Sequence, residues 1–179
     1  MHNLNDTIHP ARVYWITGLA GSGKTTLAQL LWQSLRDKGQ PAVLLDGDVF
    51  REVFGASAYD RASRLQIAFK IAHLCRMLSS QGIPVVCATI SLFHEVQAWN
   101  RAHIPGYIEI MLDVPMAVLI QRDQKGLYSA ALSGKQAHVV GMDIQPEWPL
   151  KPDIRLKNDG SQAIQVILQQ LLDKLAPII

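Results

Sequence analysis

Apolar residues in this chain fall into two alternating patterns, short continuous runs and longer stretches with a helical period. Val13-Tyr14-Trp15-Ile16 is such a run, and it stops at Thr17-Gly18, which predicts a buried strand entering a glycine-rich turn. Beyond Lys24, Leu27, Leu30, Leu31 and Leu35 recur at helical spacing until Gly39-Gln40-Pro41 breaks the pattern. Ala42 to Leu45 predicts a second strand ending at Asp46-Gly47-Asp48. Leu65, Ala68, Ile71, Ala72, Cys75 and Leu78 then stripe a second helix that reaches Gly82. Pro84 to Ile90 predicts a third strand, Tyr107 to Leu112 a fourth, and Met116 to Arg122 a helix. From Asp123 to Pro152, Gly126, Gly134, Gly141, Pro146, Pro149 and Pro152 interrupt both periods, which predicts a loop-rich segment with one short helix, suited to a mobile lid. Asp153 to Leu156 forms a last strand, and Ile164, Ile167, Leu171, Leu172 and Leu175 stripe a closing helix.

Strands that are apolar on both faces and separated by helices imply a parallel sheet covered on both sides, an α/β three-layer fold. Residues 1–179 suit one domain, with the lid at about 123–152. Composition adds only exclusions. With 49% hydrophobic residues, 18% charged and a net charge of +2, the chain is neither disordered nor basic enough to draw nucleic acid or an anionic membrane. The apolar stretch Ile83 to Phe93 is far short of the roughly 20 residues a membrane helix needs. Met1 to Pro10 is polar, unlike a secretory leader, so a cytoplasmic location is expected. Cys75 and Cys87 sit in a helix and a strand without the spacing of a metal site and read as buried thiols.

Chemistry enters with Gly18-Leu19-Ala20-Gly21-Ser22-Gly23-Lys24-Thr25, which fits G-x-x-x-x-G-K-[ST] at every defined position and lies between a strand and a helix, as that motif requires. In a P-loop of this kind the backbone N–H groups wrap phosphates, Lys24 reaches the outer ones, and the Thr25 hydroxyl ligates magnesium. The fold class is therefore a P-loop NTPase fold using ATP and Mg2+. A guanine-reading Asn-Lys-x-Asp segment is missing, since Lys157-Asn158-Asp159 has the wrong order, and the length leaves no room for motor modules. A small phosphotransferase is favoured, with a nucleotide-binding regulator as the alternative of another class. Asp46 and Asp48, at the carboxyl end of the second strand, can hold a metal's water shell or accept a proton. Arg51, Arg61, Arg64 and Arg101 are candidate cations for an anionic acceptor. Arg122 to Tyr128 opens the lid, and His94 is the one histidine of interest.

These residues resemble the adenylylsulfate kinase family from Val13 to about Leu156. The similarity rests on the P-loop through Thr26, Leu45 to Arg51, Asp60-Arg61, Ile90-Ser91, and Arg122 to Tyr128. It implies transfer of the ATP γ-phosphoryl group to the ribose 3′-hydroxyl of adenylylsulfate, a small-molecule nucleotide acceptor. By that resemblance Gly18 to Thr26, Arg122 and Lys125 bind ATP, and Thr25 and Asp46 hold the metal. Lys24 and the aspartates are catalytic, with Asp46 or Asp48 the base. Asp48, Arg51, Arg61, Arg64, Ile90, Ser91, Lys125, Gly126 and Leu127 would face the acceptor. Kinases of this kind are often dimers, so a homodimer is among the expected assemblies.

Departures gather on the acceptor side. Arg64 stands where the family has asparagine, Leu92-Phe93-His94 where it has Pro-Tyr-Arg, and Val139-Val140-Gly141-Met142-Asp143 where it has Phe-Thr-Gly-Ile-Asp. Loss of the phenylalanine that packs on adenine changes base recognition and leaves ATP chemistry untouched. A related branch, the cytidine diphosphoramidate kinases of capsule biosynthesis, is the rival reading.

Overall fold

The computed structural model describes residues 9–178, so most of the Met1 to Pro10 stretch lies outside it. Strands β1 (Val13–Thr17), β2 (Val43–Asp46), β3 (Val85–Ala88), β4 (Tyr107–Asp113) and β5 (Ile154–Lys157) form one parallel sheet in the order β2-β3-β1-β4-β5. Seven helices accompany them among the described residues: α1 (Lys24–Asp37), α2 (Gly47–Val53), α3 (Arg61–Ser80), α4 (His94–His103), α5 (Met116–Arg122), α6 (Leu127–Leu132) and α7 (Ile164–Leu175).

Alternation along the strands splits the core in two. Tyr14, Ile16, Val86, Ile108 and Ile110 point to the face covered by α1 and α7. Val13, Trp15, Val85 and Cys87 point to the face covered by α3 and α4. All five residues of β1 are buried, as a central parallel strand requires. Cys75 on α3 and Cys87 on β3 are both buried and free, as expected. No helix among the described residues is long and apolar enough to cross a membrane.

Two helices differ from the sequence expectation, for identifiable reasons. Helix α4 buries Val96 together with Gln97 and Asn100, so its inward face lacks an apolar stripe. Helix α2 runs where the apolar pattern predicts none: Asp46 caps it by accepting the Asp48 N–H at 2.9 Å. That helix buries Arg51 and exposes Val49 and Val53, the inverse of an amphipathic pattern. Arg101, a candidate cleft cation, is turned elsewhere. It donates to buried Glu109 on β4 at 3.0 Å and to Asp153 at 3.2 Å, closing an otherwise costly buried carboxylate at the foot of β5.

Residues 123–152 are anchored at several points. A 3-10 turn (Gln124–Gly126) precedes α6, and the Asp123 carboxylate accepts the Tyr128 and Ser129 N–H groups at 2.8 and 3.1 Å. Tyr128, Val139 and Val140 are buried with Leu19, Leu92, Val114 and Leu119 in a third cluster beyond the sheet edge. Glu147 then ties the segment to α4 by accepting the His94 N–H at 2.7 Å.

Candidate active site

The carboxyl ends of β1, β2 and β3 open onto a cavity of about 510 Å³, the position where open parallel sheets bind ligands. Thr17 ends β1, and the chain then turns through Gly18 at φ 153° and Gly23 at φ 91°. A Cβ on Gly18 would lie 2.6 Å from the Leu112 carbonyl oxygen, and one on Gly23 would lie 2.6 Å from Nδ2 of Asn158. Close approach to backbone requires the first glycine, and the left-handed φ requires the second, since its near neighbour is the end of a side chain that can shift. Helix α1 starts at Lys24 with Gly23 as its cap and no capping side chain, so its first-turn N–H groups stay free for an anion.

The loop is braced from outside. Asn158, just past β5, donates from Nδ2 to Ser22 O at 2.8 Å, and the Tyr128 hydroxyl donates to Ala20 O at 2.8 Å. Arg122, at the end of α5, donates to Gly21 O at 3.3 Å and to Asn158 O at 2.9 Å. These bonds occupy the loop's carbonyls on the side away from the cavity. Gly18, Leu19 and Ser22 form the supporting layer of the loop, whereas Ala20, Gly21, Gly23, Lys24, Thr25 and Thr26 line the cavity.

The Thr25 hydroxyl donates to Asp46 Oδ2 at 2.7 Å, joining the start of α1 to the end of β2. A hydroxyl and a carboxylate oxygen placed together suit a hard cation such as magnesium, which takes oxygen ligands and keeps several waters. The Lys24 ammonium donates to Leu19 O at 2.7 Å. Burial pushes its pKa down to about 8, against the opposing pull of Asp48 and Asp46. Across the cavity Lys125 Nζ lies 3.6 Å from Asp48 Oδ2, with both side chains largely exposed, a pairing that solvent weakens. Lys125 and Leu127 line the cavity, and Gly126 lies between them with φ 66°.

Of the three arginines near the second strand, two face the cavity. Arg51 donates to Ala58 O at 2.8 Å, with its guanidinium 4.4 Å from the Tyr59 ring centre. Arg64 donates to Tyr59 O and His138 O, both at 2.7 Å, and burial followed by the Arg51 charge lowers its pKa. Arg61, expected among the acceptor contacts, does not line the cavity: its guanidinium pairs with Glu147 at 2.7 Å and Glu95 at 3.1 Å over the Phe93 ring. Burial raises the Glu147 pKa, but Arg61 and the His94 N–H outweigh it and hold the carboxyl below its usual value. His94 itself serves this junction, with Nε2 2.9 Å from Trp148 O. Ile90 and Ser91 line the cavity, Ser91 at φ 23° and within 2.9 Å of the Thr89 hydroxyl. Val139 lines it where the resemblance places an aromatic ring.

A family profile described as adenylylsulphate kinase matches residues 10–157. The chain belongs to that family. It is 42% identical over 162 residues to the cytidine diphosphoramidate kinase of Campylobacter jejuni, covering 89% of this chain and 95% of the relative. It is 37% identical over 171 residues to the adenylyl-sulfate kinase of Deinococcus deserti, covering 95% and 94%. The solved structure of the Mycobacterium tuberculosis APS kinase CysC in complex with AMPPNP and APS superposes with a TM-score of 0.85 at 32% identity, covering 93% of this chain and 98% of that one.

Within this adenylylsulphate kinase fold, several cavity and bracing residues escaped the sequence reading. Tyr59 and His138 carry no motif of their own, yet both line the cavity and hold Arg64 through their carbonyls. Asn158 had one signal, its place at the carboxyl end of the last predicted strand, the sheet edge where ligands bind.

Proposed function

We propose that this chain is an ATP-dependent kinase that transfers the γ-phosphoryl group to the ribose 3′-hydroxyl of a nucleotide-linked anion such as adenylylsulfate. The observation that carries the reading is one cavity lined at one end by Lys24, Thr25 and Asp46 and at the other by Arg51 and Arg64. ATP would enter with its phosphates on the loop N–H groups, Lys24 and the first turn of α1, beside Lys125, while Arg122, expected among the ATP contacts, braces the loop from behind through Gly21 O. Thr25 and Asp46 would hold magnesium, which would neutralise phosphate charge during transfer. Asp48, on the open side of α2, faces the acceptor hydroxyl. Residues 123–152 would close as a lid and exclude water that could hydrolyse ATP. The reading includes one domain over 1–179 and a cytoplasmic location, where ATP and magnesium are supplied.

A second acceptor, a cytidine diphosphoramidate, is favoured by the 42% identical relative and by Val139 in the base half of the cavity. Incubation with ATP, magnesium and either adenylylsulfate or cytidine diphosphoramidate, with phosphorus NMR locating the new phosphate, tests the reading. One acceptor is expected to gain a ribose phosphate ester with stoichiometric ADP. Calorimetric ATP binding without product from any acceptor would instead mark a nucleotide-binding regulator.

The depressed Lys24 pKa gives a pH prediction. Bound phosphates favour the charged ammonium, so ATP binding above pH 8 must take up a proton. Affinity is expected to fall by up to about tenfold per pH unit above that point, reported as uptake approaching one proton at pH 9 by calorimetry in buffers of different ionisation enthalpy. Free-protein stability moves oppositely: the folded state holds the Lys24 proton less tightly than the unfolded chain. This group's contribution to stability therefore rises as pH passes from about 8 towards 10.5. Pure screening would weaken binding with salt and show no proton uptake.

A further inference from the structure

The cavity wall changes character between its ends. Near the P-loop it carries Lys24, Thr25, Asp46 and Asp48, the groups suited to phosphates and a reacting hydroxyl. Around Arg64 it carries apolar Ile67 and Ala68, the next turn of α3, and Val139, beside the His138 that accepts from Arg64, together with the polar Tyr59 and Gln136. An end of that kind suits a flat heteroaromatic ring, whose faces are apolar and whose rim is polar.

Arg64 is held with unusual firmness for a half-buried arginine. Its Nε donates to Tyr59 O and its Nη2 to His138 O, each at 2.7 Å, and the Tyr59 ring centre lies 5.3 Å from the guanidinium carbon. His138 is fixed in turn, because its N–H and that of Val139 both donate to the Asp143 carboxylate at 2.6 Å. A guanidinium has five N–H donors in a planar fork. Three remain after these two bonds, both hydrogens of Nη1 among them. Arg64 forms none of the ion pairs found among the described residues, whereas Arg61, one helical turn earlier, is paired with two carboxylates.

We propose that Arg64 reads the base of the acceptor nucleotide and selects cytosine. The proposal rests on the kinase reading above and names the base for that same site. Cytosine presents its ring N3 and carbonyl O2 side by side, two adjacent acceptors for the forked donors of one guanidinium. Arginine meets the paired acceptors of guanine in DNA by the same matching. Adenine sets its amino donor beside N1, and uracil carries a donor at N3, so each turns an N–H towards the fork. A donor pair fixed by protein carbonyls cannot rotate to accommodate them, and a rim that fails to accept leaves buried polar groups unpaired.

The test uses the full chain saturated with a non-hydrolysable ATP analogue and magnesium, titrated calorimetrically with CDP, UDP and ADP. These probes share one anionic tail and differ in the base. CDP is expected to bind at least about tenfold more tightly than UDP or ADP, the discrimination of one bidentate contact. Arg64→Asn removes the fork, and Arg64→Lys keeps the charge without it. Both are expected to bring the three affinities within about threefold of one another, at wild-type affinity for the ATP analogue. Three results overturn the assignment: ADP or UDP preferred by the wild type, preference retained in Arg64→Lys, or an equal loss for all three probes in Arg64→Asn, which would show that the residue senses charge alone. Failure of the ATP analogue itself to bind would overturn the kinase reading, and the base assignment with it.

Discussion

Lys24→Ala is expected to lower kcat for phosphoryl transfer by about a hundredfold to a thousandfold, the scale on which a preorganised charge at a developing oxyanion acts. The Lys24 ammonium is embedded in the loop, bonded to Leu19 O at 2.7 Å, with its pKa pushed down to about 8 by burial. A cation held in so poorly solvated a position acts strongly on a phosphate that reaches it. The fold has no comparable need of it. Its depressed pKa means that the charged form is disfavoured in the free protein, so removing the charge is expected to leave the thermal midpoint at pH 7 unchanged or raised. Loss of turnover at preserved stability is the signature to look for, in a coupled ADP-release assay beside a thermal melt. Turnover within tenfold of wild type would sink the phosphoryl-transfer reading.

Legibility in the sequence followed burial. The strands declared themselves because both faces of the sheet are covered, which writes β1 and β3 as unbroken apolar runs. Helices α1, α3 and α7 showed a stripe because each lays one apolar side on the sheet. Helix α4 was hidden by Gln97 and Asn100 on its inward face, and α2 by an inward arginine beneath outward valines. Local chemistry marked the P-loop and the paired aspartates, since those residues are contiguous or two apart. Side-chain direction was not marked. Arg61 and Arg64 look alike in sequence, but Glu95 and Glu147 capture the first, and the carbonyls of Tyr59 and His138 hold the second. Asn158 and Ser22 meet across 136 positions, a contact that only the folded sheet brings together.

The two aspartates are expected to fail in different ways, because their surroundings differ. Both oxygens of Asp46 are engaged: Oδ1 accepts the Asp48 N–H at 2.9 Å, and Oδ2 accepts the Thr25 hydroxyl at 2.7 Å. A carboxylate held in this way at both oxygens is fixed in orientation, which suits setting a metal's surroundings. Asparagine caps a helix about as well as aspartate, so Asp46→Asn is expected to keep the thermal midpoint while weakening magnesium dependence, with activity partly restored at high magnesium. Asp48 is different. Its side chain is 79% exposed, and its one ion pair among the described residues is with the Lys125 ammonium, at 3.6 Å. A free carboxylate at the mouth of the cavity can accept a proton from an approaching hydroxyl. Asp48→Asn is therefore expected to lower kcat by about a hundredfold or more, with magnesium dependence and ATP affinity retained and no rescue by added metal. Steady-state kinetics across a magnesium series separates the two. If Asp48→Asn were the variant rescued by magnesium, and Asp46→Asn the one with a pure kcat defect, the roles of metal holder and base would have to be exchanged.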